Sequence, residues 1–187
     1  MTAVNYVALV RGVAPSTPPR DNTSIVEALG TLGFAGVQSV LSSGNYIFRT
    51  DAAPDSLEDL FEATFVARLG VKLLTIVRSR EQLQRLVDGN PLAGLPHGRG
   101  SYQLVTFFKQ PVDLGPLPVT LASGAVRLVG SVDGALFSVT DNTAQQTTNF
   151  MTWLEHRYTR DITSRTPATL QRILARMKQP EPGRGSD

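Results

Sequence analysis

Short apolar runs and two helical stripes follow one another along the first eighty positions. Val4 to Val10 form a run that reads as a first strand. A loop with Pro15, Pro18 and Pro19 follows, where proline excludes a helix interior. Asn22 or Thr23 is placed to cap a helix carrying Ile25, Val26, Leu29 and Leu32, with Gly33 as its C′ residue. Residues 37–41 and 46–50 read as strands joined through Ser43-Gly44-Asn45, a tight-turn sequence. Leu57, Leu60, Phe61, Thr64, Phe65 and Leu69 then recur at i, i+3, i+4, i+7, i+8 and i+12, one face of a helix. Asp55 or Ser56 is expected to cap it and Gly70 to end it. Residues 71–78 read as a fourth strand. The order β-α-β-β-α-β is the ferredoxin-like pattern, an antiparallel sheet in order 4-1-3-2 with two helices on one face.

The second half repeats that order with losses and an addition. Ser79 with Gln82 forms a capping box for a linking helix over 79–88, and Asn90-Pro91 breaks the chain. Residues 101–108 read as a strand. The segment 111–124 holds Pro111, Pro116 and Pro118, leaving room for a short helix over 119–122. Residues 125–132 and 135–140 flank Asp133-Gly134, a type I′ hairpin signal. A helix over 149–158, a short strand over 162–165 and a helix opened by Pro167 complete the pattern, the last with the stripe Leu170, Ile173, Leu174 and Met177. The expected fold class is therefore α+β, with two tandem ferredoxin-like subdomains and a C-terminal helix. The units are 1–78, a link over 79–100, 101–178, and a flexible tail over 179–187.

Composition narrows the function classes. The 187 residues are 41% hydrophobic and 18% charged, which suits a packed core rather than a disordered chain. The pI near 9.2 suggests a nucleic-acid binder. With no Cys and with His only at 97 and 156, however, little titrates near neutrality, and the net charge is only +2. No thiolate, disulfide or Cys-type zinc chemistry is available, and the two His residues give no metal-ligand spacing. No stretch is long enough for a signal or a bilayer span, so a cytoplasmic protein without membrane attachment is expected. No phosphate loop, dinucleotide fingerprint or nucleophile elbow occurs, so no cofactor and no catalytic residue is assigned, and enzyme or non-enzyme stays open. Glu58, Asp59 and Glu62, with Asp55, read as the solvated side of the second helix.

Several motifs, in order, resemble one bacterial family. They are Tyr6 to Val13 with its Arg11-Gly12, Leu29 to Phe34, and Ser43-Gly44-Asn45-Tyr46-Ile47-Phe48. Val77-Arg78 with Asn90-Pro91-Leu92 follows, then Thr163-Ser164-Arg165-Thr166 with Thr169. Together they resemble the family catalogued as domain of unknown function 1697, from about residue 4 to about residue 178. The resemblance implies a fold of two ferredoxin-like subdomains and implies no activity. One departure stands out. Where the family carries a glycine-rich, lysine-bearing loop, this chain has Val13 to Arg20 with three prolines, which remove three N–H donors from any backbone cradle for phosphate.

The expected strand order brings chemistry to one sheet edge. Arg11-Gly12 ends the first strand beside the start of the third, so Arg11 should meet Ser43 and Asn45. Alternation puts Arg11, Asn45 and Arg49 on one face, with Tyr46 and Phe48 on the other. If helices cover the aromatic face, the arginine face is open. Arg11, Ser43, Asn45 and Arg49, with Arg165 from the late motif, then form a candidate site for a small anionic or polar ligand. The competing reading of the same residues is turn chemistry with solvated or paired arginines. Single-stranded nucleic acid stacked on Tyr6, Tyr46 and Phe48 is an alternative partner. No oligomeric state follows from the sequence.

Overall fold

The computed structural model describes residues 3–121, 123–143 and 149–177, apart from the Asp55 side chain. The expected tail and the Asp55 cap lie outside the described residues. Strands β1 (Val4–Val10), β2 (Ala35–Ser39), β3 (Asn45–Thr50) and β4 (Thr75–Ser79) form one antiparallel sheet in order β2-β3-β1-β4. Strands β5 (Ser101–Phe108), β6 (Val119–Thr120), β7 (Val126–Val132), β8 (Ala135–Asp141) and β9 (Ile162–Arg165) form a second, in order β6-β7-β8-β5-β9. The helices are α1 (Asn22–Gly30), α2 (Leu57–Leu69), α3 (Arg80–Asp88), α4 (Phe150–Arg157) and α5 (Pro167–Met177). The molecule is thus α+β with two antiparallel sheets.

Local chemistry explains most boundaries. Asp21, not Asn22 or Thr23, caps α1: its carboxylate accepts from the Ser24 N–H at 3.0 Å and the Ser24 hydroxyl at 2.7 Å. Asn22 instead accepts the Tyr46 hydroxyl at 2.7 Å. α1 ends at Thr31, ahead of Gly33. Gly70 closes α2 in the left-handed conformation, φ 66°. The Ser79–Gln82 capping box opens α3. Asp133 and Gly134 both take positive φ, 46° and 74°, as the type I′ hairpin requires. Where a short helix was expected over 119–122, the chain instead adds the edge strand β6 against β7. The ladder is two residues long, Val119 opposite Leu128 and Thr120 opposite Arg127, and it begins directly after Pro118, which has no N–H to extend it.

Three apolar clusters alternate with the two sheets. α1 and α2 cover the aromatic face of the first sheet, where Tyr46, Phe48, Phe61 and Phe65 are fully or almost fully buried. α4 and the segment near Leu114, Leu117 and Leu121 cover the outer face of the second sheet. Between the sheets lies a shared cluster. Val7, Leu9, Ile47 and Ile76 from the first sheet meet Val105, Phe107 and Phe137 from the second, with α3 and α5 contributing Leu83, Leu86, Leu170, Ile173 and Leu174. The face of β1 and β3 expected to be open is therefore covered. The reason is that it carries Val7, Leu9 and Ile47 as well as polar residues, and the second half supplies the matching apolar surface.

The acidic side of α2 also differs from expectation. Glu58 and Glu62 do not simply face solvent. Their carboxylates accept the Val77 and Thr75 N–H groups at 2.9 and 3.0 Å, so they satisfy the outer edge of β4. Lys109, just past β5, pairs with Asp59 at 2.9 Å and Glu62 at 3.0 Å, and Arg78 reaches both Glu58 and the Phe108 carbonyl. These bonds tie the two halves together on that side.

Candidate functional site

The end of β1 and the start of β3 meet at the opposite side of the interface. The Val10 N–H donates to the Gly44 carbonyl at 2.8 Å, and the Arg11 N–H to the Leu74 carbonyl at 2.9 Å. Gly44 has φ 75°, and a Cβ there would sit 2.4 Å from the Val10 carbonyl oxygen and 2.9 Å from Val13 Cγ2. Only glycine permits both the left-handed turn and this contact.

Arg165, on the edge strand β9, enters this junction from the second half. Nε donates to Asn45 Oδ1 at 2.6 Å, and Nη1 to Thr163 Oγ1 at 2.7 Å and to the Ser164 carbonyl at 2.8 Å. Nη2 donates to the Val10 and Gly44 carbonyls, both at 3.1 Å. Every guanidinium N–H is thereby used. All these acceptors are neutral, and no carboxylate pairs with Arg165 among the described residues. The residue is 8% exposed. Burial pulls its pKa down to about 10, against an opposing influence of Tyr46, so the group is still charged at neutral pH.

Asn45 is fully buried and relays this contact. With Oδ1 held by Arg165, its amide Nδ2 donates to the Val40 carbonyl at 3.0 Å and to Ser43 Oγ at 3.1 Å. The Ser43 and Thr163 hydroxyls each accept one charge-assisted or relayed bond, so each retains its own O–H to donate. Both line a cleft of about 320 Å³ walled also by Arg11, Gly12, Ser42 and Pro15. Arg11 crosses the mouth. Its guanidinium donates to the Arg160 carbonyl at 3.2 Å and the Ile162 carbonyl at 3.3 Å, and it forms an ion pair with Glu155 of α4.

The structure thus gathers Arg11, Ser43, Asn45 and Arg165 at one junction and leaves Arg49 out of it. Arg49 lies opposite Asn5 in the register, four residues beyond Asn45, which is roughly 13 Å along the strand. Arg165 and Asn45 also differ from the expected ligand-facing groups, because their donors are taken by protein acceptors. Thr163, Ser42 and Glu155 belong to the site and carried no individual signal; Thr163 stands within the late motif, but a threonine in a strand announces nothing by itself. The loop after Arg11 closes on itself through Ala14 N–H to the Arg20 carbonyl and Arg20 N–H to the Thr17 carbonyl, both at 2.9 Å. Tyr6, Tyr46 and Phe48, the residues of the base-stacking alternative, are core residues with at most 6% exposure.

Comparison with known proteins gives a fold and a family. A solved structure, a conserved bacterial protein SP0830 from Streptococcus pneumoniae, superposes with a TM-score of 0.72 at 17% identity. The match covers 95% of this chain and all of that one, a likeness of fold alone. No curated protein matches. No described helix is long and apolar enough to cross a membrane. A family model matches residues 3–118, which include Arg11-Gly12, the Ser43-Gly44-Asn45 turn and the Asn90-Pro91 break, and on that match the chain belongs to the family described as a protein of unknown function, DUF1697.

Proposed function

We propose that this protein binds a small anionic or polar ligand in the cleft between its two halves. The observation that carries the reading is the buried Arg165 charge, which has five neutral acceptors and no counter-ion among the described residues. A buried charge without an anion is costly, so an anion seated beside it is favoured. The Ser43 and Thr163 hydroxyls provide donors at the cleft wall, and their lone pairs are engaged by the Asn45–Arg165 chain. Arg165 acts through its field and through these hydroxyls, not by direct contact. On this reading the two halves are ferredoxin-like units whose β1–β3 turn and β9 strand build the cleft jointly, in a cytoplasmic protein.

The test is a titration of the full chain with sodium acetate and with inorganic phosphate at fixed ionic strength, followed by amide chemical shifts. Saturable shifts should centre on Gly12, Ser43 and Thr163. Ser43→Ala and Thr163→Val should each weaken acetate binding about tenfold, the worth of one hydrogen bond to a charged group. Absence of saturable shifts at these residues with either anion sinks the reading.

A further inference from the structure

A second hollow adjoins the anion cleft and has the opposite character. Its volume is about 390 Å³, and its walls are Tyr102, Leu104 and Met151, with Ser164 at one side. Arg11 and Thr163 border both hollows, so the two are contiguous around the end of β9. The Ser164 hydroxyl is already engaged with Thr106 at 2.8 Å and Met151 Sδ at 3.4 Å, which leaves this wall largely apolar. Tyr102 is 40% exposed, with its ring 5.2 Å from that of His97. A large exposed ring beside a polarizable methionine is a surface suited to a flat apolar group.

Charge defines the other end of the occupant. Arg11 is paired with Glu155, and among the described residues no carboxylate lines either hollow, which leaves Arg165 as their uncompensated charge. The hydroxyl donors lining the cleft are those of Ser42, Ser43 and Thr163. The loop that would cradle a phosphate spends the N–H groups of Ala14, Thr17 and Arg20 on its own carbonyls. One uncompensated positive charge matches a carboxylate, which carries one negative charge, better than a phosphate dianion.

We infer that the occupant is a monocarboxylate with a ring-sized apolar body, its carboxylate in the Arg165 cleft and its body against Tyr102, Leu104 and Met151. The inference rests on the anion cleft proposed above and names the ligand class for it. Pockets of this size, apolar with a few convergent polar groups, are the usual form of small-molecule sites.

Calorimetric titration of the full chain at fixed ionic strength tests it with four probes: acetate, 3-phenylpropionate, 3-phenylpropionamide and phenyl phosphate. The expected result is 3-phenylpropionate at least tenfold tighter than acetate, with the neutral amide and phenyl phosphate both weaker than 3-phenylpropionate. Tyr102→Ser and Met151→Ala should each bring 3-phenylpropionate down towards the acetate value; Tyr102 is exposed enough for its replacement to leave folding intact. If acetate binds but 3-phenylpropionate gains nothing, or the gain survives both substitutions, the apolar-body assignment falls and the anion cleft stands. If the amide or phenyl phosphate equals or exceeds 3-phenylpropionate, the monocarboxylate assignment falls. If none of the anions binds, both this inference and the anion cleft fall.

Discussion

Arg165 shows how the contacts of a residue singled out by a motif are set elsewhere in the fold. Arginine in a motif suggests an anion held by the guanidinium fork. Here the fork is filled by the Val10, Gly44 and Ser164 carbonyls, Asn45 and Thr163, so it fastens β9 to the β1–β3 turn. It lines the cleft with every guanidinium N–H already held by a protein acceptor. Gly44 makes the same junction possible from the other side. Gly44→Ala adds a Cβ 2.4 Å from a backbone oxygen in a residue at φ 75°. It should cost at least about 2 kcal/mol of stability, left-handed strain and the clash acting together. Equilibrium urea unfolding measures this, and a loss below about 0.5 kcal/mol would mean that the turn relaxes freely.

At the scale of elements, α2 and β4 form a device that the amphipathic pattern conceals. β4 is an edge strand, and Glu58 and Glu62 on α2 accept the N–H groups that its outer edge would otherwise leave bare. The cost falls on Glu58. Desolvation raises its pKa despite the opposing help of the Val77 N–H, Arg78 and Lys109. Between the ordinary glutamate range and that raised value, the folded protein keeps a proton that the unfolded chain releases. Stability supplied by this group is therefore present at low pH and lost as pH rises through that window. Glu58→Gln retains an acceptor oxygen and removes the titration. Its melting temperature should gain on that of the native sequence as pH rises above the ordinary glutamate range. A difference that stays flat, or moves the other way, over that rise would refute the assignment to Glu58. The strand β6 carries a similar lesson: its two residues have no strand pattern of their own, and β7 recruits them.

The whole molecule is held by a cluster to which neither half has sole claim. Val7, Leu9 and Ile47 are buried by α3, α5 and the second sheet, not by the helices that follow them in their own half. Residues 1–79 alone would bare that face, although the first sheet, α1 and α2 are intact. Such a fragment should self-associate or bind a hydrophobic dye more than the full chain, seen by size-exclusion chromatography and dye fluorescence. A monomeric fragment that unfolds cooperatively would show that the shared cluster is dispensable. The sequence alone determined most of the elements, β6 excepted, because a strand run, a helical stripe, a capping box or an Asp-Gly turn is decided by neighbours within a few residues. It also determined the meeting of Arg11 with the Ser43–Asn45 turn, which follows from strand order. Tertiary structure decided what those residues do there. Asn45 and Arg165 stand 120 positions apart, and only the closing of one sheet against the other makes them partners and leaves a cleft between them. No local pattern records that contact, because its free energy comes from surfaces that lie far apart along the chain.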